Sequence, residues 1–455
     1  MPPTSLRIWR GRLLRFLAGA GATLITALAG AARNKWVALH LDTAGIGIVA
    51  QVISAQSWIG NLAGLGVGIA VSRAVGARAG SGDDNGARRS VWTGLSLVAP
   101  TAVAAALLGV AFAPRLSALL LGTSAHADLV RVSMLGVMGI GLYQVIQGAA
   151  AGRSDVRAPY GLAVGGVALA AAATFLLVPR FGLLGATLAI ALAYPAACLA
   201  TAALHARRYP GALARPEGGR FDRVEARSLL SVSGAALLLP LADQGVFLAL
   251  RTHFLRAHGV EANGLLQAAV ALSQQVGALF YAYLAAYAFG KISGVAAAQG
   301  APGVQAYTRR HWTPLVLLAA AVFAVSIVVA SPLLHLLYSS RFDPARPMMA
   351  CALFGEFGRV CLQIVALGSL PLGGTRLWFR IGITQPIVLA AAYALLVAGG
   401  AGALALPLAY AGAGVITFVA GTWMMARAGV RLDARRLGIT VLAYAALGLL
   451  VRVVI

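Results

Sequence analysis

Acidic residues are scarce: 13 Asp and Glu stand against 36 Lys and Arg in 455 residues. Charge of any kind is scarce too, at 11% of the chain, where a soluble domain carries about 25%. With 60% hydrophobic residues and a mean hydropathy of +0.84, that excludes an ordinary soluble protein. Cysteine is limited to Cys198, Cys351 and Cys361. All three fall in apolar runs, which excludes a disulfide framework and makes them small packing residues. There is no G-x-x-x-x-G-K-[ST], no H-E-x-x-H and no Cys/His metal spacing, so neither a P-loop motor nor those metal centres are encoded. "GLGVGIA" follows no strand and lies inside an apolar run. The alternating pattern of an outer-membrane barrel is missing as well.

What is present is a series of runs of mostly about 20 apolar residues, the length a helix needs to cross a bilayer core of roughly 30 Å. They fall near 13–32, 44–71, 91–113, 129–151, 160–179 and 183–204, then 228–250, 262–290, 312–333, 347–371, 377–399 and 403–425, with a last one near 437–455. The start imitates a secretory signal, with Arg7, Arg10, Arg12 and Arg15 before the first run. That run has spanning length, so it is read as the first span rather than a cleaved leader. The polar stretch "HARRYPGALARPEGGRFDRVEAR" divides the runs six and seven. The expected organisation is an N-terminal six-helix lobe (1–204), a cytoplasmic linker (205–227), a C-terminal six-helix lobe (228–425) and an additional transmembrane helix (426–455).

With the N-terminus on the cytoplasmic side, 25 of the 36 basic residues fall in inside segments and 9 in outside segments; Arg131 and Arg359 lie within runs. This asymmetry favours that orientation and accounts for the net charge of +23 without nucleic acid. The halves look like copies. "RNKWVALHLDTAGIGIVAQVISAQ" matches "RTHFLRAHGVEANGLLQAAVALSQQ", and "GATLAIALAY" matches "GALALPLAY". Six spans separate the copies, so each returns to the same side. The expected fold class is therefore an all-α polytopic membrane protein whose two six-helix bundles are related by a pseudo-two-fold axis along the membrane normal, with one extra C-terminal helix. Halves of this kind rock about a central site.

An ionisable side chain within a span costs at least about 2.5–3.5 kcal/mol at the helix centre, so it normally faces a cavity or a partner. Arg131, Asp243, Glu356 and Arg359 are of this sort. Glu356, Arg359 and Gln363 are three and four residues apart and share one helix face. Glu356 and Arg359 can neutralise one another; Gln363 on the same stripe favours a water-lined face. Gln51, Ser54, Trp58, Asn61 and Gly68 form a seam in the second run, and Gln267, Gln274 and Tyr281, seven apart, form one in the eighth with Ser273, Gln275, Tyr283 and Tyr287 beside them. A single amide can serve simply to bond two helices, but matched seams in both halves favour a shared polar lumen. Amides and aromatic rings suit sugars, and Arg forks suit phosphate. Arg33, Lys35, Arg73, Arg131, Arg251 and Arg359 outweigh Asp243 and Glu356 near that lumen, which points to an anionic substrate. Arg73 also fits a positive-inside anchor, and Arg251 an interfacial snorkel. Asp243 either pairs with an arginine or couples a proton or sodium ion.

"RNKWVALHLDTAGIGI", "LLQAAVALSQQVGALFYAYLAAYAFGKIS" and "SSRFDPARPMMACALFGEFGRV" resemble the Wzx-type flippases for O-antigen units and enterobacterial common antigen (lipid III), within the MATE-like (MOP) exporter superfamily. The resemblance covers about residues 10–425. It implies a monomer of the bacterial inner membrane that moves an undecaprenyl-diphosphate-linked oligosaccharide from the cytoplasmic to the periplasmic leaflet by alternating access. It also implies no bound cofactor, a proton or sodium gradient as any driving force, and a polysaccharide polymerase and chain-length regulator as protein partners. Arg33, Lys35, Arg251 and Arg359 match the positions of the family's cationic lumen. The chain departs from the family in its thirteenth run and in holding fewer cations. An ion-coupled multidrug or cation exporter of the same superfamily is the competing reading; it would want an acid in the first span, and residues 13–32 contain none. A non-transporting scaffold for polysaccharide assembly is the third, and it gives no reason for polar seams in both halves. No enzymatic chemistry is expected.

Overall fold

The structure is a computed structural model that describes the backbone of residues 4–155, 158–217, 219–284 and 288–455. Among them are helices and turns and no strand. The helices are α1 (Thr4–Ala63), α2 (Val67–Gly80), α3 (Asp84–Ala111), α4 (Ala113–Leu121), α5 (Ala127–Gly152), α6 (Ala158–Tyr160), α7 (Leu169–Ala191), α8 (Ala193–Arg208), α9 (Arg223–Tyr283), α10 (Phe289–Val328), α11 (Ala330–Leu337), α12 (Arg346–Ala366), α13 (Ser369–Ala398), α14 (Ala405–Arg427) and α15 (Ala434–Val454). A π-helical stretch, Gly161–Ala168, joins α6 to α7. The side chains of Arg7, Arg10, Arg12 and Arg15 lie outside the described ones, as do residues Arg157 and Tyr287.

Ten helices among the described residues are long and apolar enough to cross a membrane, and α15 is one of them. Four are about twice the necessary length: Ile25–Ala63, Gly161–Arg208, Leu237–Tyr283 and Phe289–Val328 span 39, 48, 47 and 40 residues. Each is interrupted by one residue outside helical geometry, Asp42 (φ 57°, ψ −165°), Gly182 (φ 54°, ψ −126°), Gly259 (φ 87°, ψ 171°) and Gly300 (φ 61°, ψ −149°). At Gly182 and Gly259 the chain turns back. A Cβ on Gly185 would lie 2.6 Å from the carbonyl carbon of Leu177, eight residues back and about 12 Å away along a straight helix. Arg251 bonds Asn263 across Gly259 in the same way, at 2.7 Å. The ten helices thus carry the thirteen apolar runs, three of them in pairs joined without a loop.

By packing, the chain forms two compact units, Met1–Asp42 with Ile48–Gly245, and Thr43–Gly47 with Val246–Ile455. In unit 1, α2 and α5 approach through small residues. A Cβ on Gly68 would lie 2.6 Å from the carbonyl oxygen of Gln144, and one on Gly152 would lie 2.6 Å from that of Ser72. Residues 68, 72 and 76 on α2 and 144, 148 and 152 on α5 recur every four positions, the spacing of small-residue contacts between membrane helices. The polar linker does not hang free. Asn85 Oδ1 accepts from the Glu217 amide at 3.0 Å, Trp92 Nε1 donates to the Ala214 carbonyl at 2.9 Å, and Arg78 Nη2 meets Glu225 Oε2 at 2.5 Å. The linker and the start of α9 are therefore strapped onto the α2–α3 end of unit 1.

In unit 2, α12 runs through the core, its residues buried almost without interruption from Met348 to Val365 apart from Phe354, Arg359 and Gln363. It meets α14 backbone to backbone: a Cβ on Gly358 would lie 2.5 Å from Gly414, and one on Gly414 would lie 2.9 Å from Gly355 Cα. Helix α15 covers this pair with Tyr444, whose ring packs edge-on against Phe354 and Phe357 at 5.5 and 5.0 Å. Trp312 of α10 donates to Thr440 Oγ1 of α15 at 3.1 Å.

Candidate functional site

In unit 1 the second apolar run is not one continuous helix, as its composition suggests. It breaks at residues 64–66, where Leu65 (φ 53°) and Gly66 (φ 65°) are both left-handed. Gly66 tolerates this conformation; for Leu65 it costs of order 1–3 kcal/mol. Irregular backbone at membrane depth is tolerated where it is buried in protein or lines a cavity. Here a cavity of about 350 Å³ opens beside the break, lined by Asn61, Ser72, Gln144, Gln147, Leu237 and Pro240 among others. Asn61 stands at the centre of a line of amides. Gln144 Nε2 donates to Asn61 Oδ1 at 2.7 Å, and Asn61 Nδ2 donates to Gln244 Oε1 at 2.8 Å. Trp58, one turn earlier, donates to the Leu241 carbonyl at 3.1 Å. Three helices, α1, α5 and α9, are stitched together by neutral polar groups.

In unit 2 the centre is Glu356, a fully buried carboxylate on α12. Tyr281 of α9 donates to Oε1 at 2.6 Å, and Tyr410 of α14 donates to Oε2. Arg359 Nη1 donates to the Tyr410 hydroxyl at 2.8 Å and lies 3.9 Å from Oε2. A buried charge needs such partners, since burial of an isolated carboxylate is far costlier than its ion pair. The stripe then opens outward: the Arg359 side chain is 25% exposed and Gln363 is exposed. The pairing and the polar stripe are therefore not alternatives. The same arginine neutralises the acid and carries charge towards an accessible surface.

The other expected residues divide between these centres and elsewhere. Gln51 is buried in α1, Arg33 donates to Asn34 Oδ1 at 3.2 Å, and Lys35 is half-buried. Asp243 is half-buried next to Gln244. Arg251 is 1% exposed; its Nε binds Asn263 Oδ1, and Asn263 in turn donates to the Gly47 carbonyl at 2.8 Å. That places Arg251 in the packing of unit 2 rather than at an interface. Gln267 is half-buried and Gln274 exposed. Arg131 lies near the start of α5 with its side chain 47% exposed, paired with Asp128 at 2.5 Å. Three partners escaped the sequence reading: Gln144, Gln244 and Tyr410. Tyr410 had a visible signal, since it closes the repeated "LAY" that pairs it with Tyr194.

That repeat extends to the site. A constant offset of 216 residues relates Gly139 to Gly355, Tyr143 to Arg359, Gln147 to Gln363 and Tyr194 to Tyr410. The contacts correspond. Tyr143 and Tyr194 rings lie 5.9 Å apart, and the Arg359 guanidinium lies 5.6 Å from the Tyr410 ring. Where unit 1 has an aromatic pair, unit 2 has a cation on a ring. Among the described residues no group of three or more His, Cys, Asp or Glu is placed to hold a metal ion.

The model of the MatE family matches residues 20–176. No curated protein matches the chain. Among solved structures, the chain is similar to an inward-facing multidrug resistance MATE family transporter of the MOP superfamily, with TM-score 0.73 and 16% identity over 90% of this chain and 98% of that one. An outward-facing form under the same description gives TM-score 0.64 and 17% identity over 92% and 95%. A MOP superfamily transporter from Pyrococcus furiosus, described as having a binding pocket of reverse polarity that suggests a different function, gives 0.62 and 16% over 91% and 94%. At these identities the likeness shows the fold.

Proposed function

We propose that this chain is a multi-pass membrane transporter working by alternating access, and that it moves an undecaprenyl-diphosphate-linked oligosaccharide from the cytoplasmic to the periplasmic leaflet of a bacterial inner membrane. The transport reading is supported by similar folds described in both inward- and outward-facing forms. The substrate reading is carried by one observation: the buried acid of unit 2 is bracketed by Tyr281, Tyr410 and Arg359, so the cation beside it is the charge that reaches the accessible surface. Such an edge suits a diphosphate, and the neutral amides of unit 1 suit sugar hydroxyls. A cytoplasmic N-terminus follows from the distribution of basic residues. A proton or sodium gradient supplies any driving force, and a polymerase and chain-length regulator take the product. Export of cationic drugs is the second reading; it is favoured by the descriptions of the neighbouring structures and opposed by the engagement of both Glu356 oxygens.

The test is deletion of the gene in its own host. Lipid-linked oligosaccharide is expected to build up on the cytoplasmic face while surface polysaccharide disappears, with rescue by the wild-type gene and none by Arg359→Ala. Unchanged polysaccharide, with new sensitivity to lipophilic cations, would move the assignment to drug export.

A further inference from the structure

The cavity of unit 1 has a chemistry of its own. Its polar lining is amide and hydroxyl, Asn61, Gln144, Gln147 and Ser72, and no charged side chain lines it among the described residues. Its apolar lining is Ile69 and Ala151 together with Leu237 and Pro240 on the neighbouring helix α9. The first turn of α2 also opens here, with Gly66 and Gly68 in the lining. The Val67 amide there is taken by the Gly64 carbonyl at 3.1 Å. At about 350 Å³ the space sits at the small end of ligand pockets, which run from about 300 to 1,000 Å³.

We propose that this cavity is a binding site for a neutral saccharide ring. A phosphate would want an arginine or lysine in the lining, and a cationic drug an acid; neither is there. A sugar ring presents hydroxyls that donate and accept together, and an amide answers with both kinds of group. The bonds to Gln144 and Gln244 use one acceptor and one donor of Asn61, and an amide has two of each. The line of amides also fixes the orientation of Asn61, so its remaining capacity is directed before any ligand arrives. Leu237 and Pro240 offer an apolar surface to the C–H face of a ring. The inference rests on the transport reading above and assigns the sugar portion of that substrate to unit 1, apart from the charged stripe of unit 2.

The purified full-length protein in detergent is mixed with maltose or with N,N′-diacetylchitobiose, and saturation-transfer NMR reads contact with the ring protons. At least one saccharide is expected to give transfer. The double variant Ser72→Ala, Gln147→Leu, whose positions are half-buried and exposed on the lining, is expected to lower it at least fivefold with the elution profile unchanged. Absence of transfer from both saccharides overturns the site, as does full transfer in the double variant. So does displacement of the saccharide by tetraphenylphosphonium, which would make the cavity a cation site. The deletion experiment reads the transport assignment separately: saccharide contact alongside unchanged surface polysaccharide would overturn the flippase and leave the saccharide site standing.

Discussion

Gly277 lies against the carboxylate of Glu356 so closely that a Cβ added there would be 2.8 Å from Cγ and nearer still to Oε1. The acid is seated by the absence of a side chain on the facing helix as much as by its two tyrosines.

Gly277→Ala is therefore expected to displace Glu356 and lower transport at least tenfold. In an open helix position the same change stabilises by about 0.5–1 kcal/mol. Gly294, with nothing within 4 Å of its would-be Cβ, supplies the control: Gly294→Ala should leave transport unchanged. Equal effects of the two substitutions would remove the steric argument.

Arg359→Ala leaves a buried carboxylate without its cation. Breaking a buried pair from one side costs roughly 3–5 kcal/mol, so a lower melting temperature in detergent accompanies the loss of transport. Glu356→Gln keeps the shape and removes the charge. The double variant Glu356→Gln, Arg359→Ala should melt above Arg359→Ala alone. A double variant no more stable than the single one would mean that the acid does not depend on this arginine.

The strap makes a third expectation. Arg78 meets Glu225 with both guanidinium nitrogens, and Ser90 donates to the same carboxylate at 2.8 Å. Arg78→Ala should free the linker and speed tryptic cleavage after Arg220 at least fivefold, with the residues around Glu356 untouched. Cleavage at the wild-type rate would show that the strap holds without the pair.

Acid should loosen the same segment. Asp222 caps the start of α9, and the amide of Glu225 first, then the amide of Val224 and the charges of Arg89 and Arg78, holds its carboxyl below the usual range. A depressed folded value means that the cap stabilises fully above the unfolded carboxylate value of about 3.9 and loses its effect as pH falls through the lower, folded one. Proteolysis with an acid-active protease should show linker opening only below about pH 4. Asp222→Asn should open the linker less steeply with pH than wild type.

Hydrophobic run length and charge distribution made the polytopic helical fold legible, because both follow directly from the bilayer as a solvent. The turns at Gly182 and Gly259 left a glycine as a signal; the break at Asp42 left none, since Asp seldom takes that geometry. Glu356, Arg359 and Gln363 could be placed on one face by spacing alone. Their partners could not, because Tyr281 and Tyr410 arrive from helices 75 and 54 residues away. The break at residues 64–66 was hidden for the opposite reason: Gly64, Leu65 and Gly66 are apolar, and hydropathy does not report backbone conformation.

The offset of 216 residues has an historical meaning. A duplicated chain begins with two identical copies, and any difference between them was added afterwards. The Gly139 and Gly355 notches and the Tyr194 and Tyr410 rings are the shared inheritance. Tyr143 and Arg359, at the same place in that inheritance, mark where the copies differ, one setting two rings together and the other a guanidinium on a ring with an acid behind it. A buried charge is hard to evolve in a new protein, but easier in a copy whose surrounding helices were already packed.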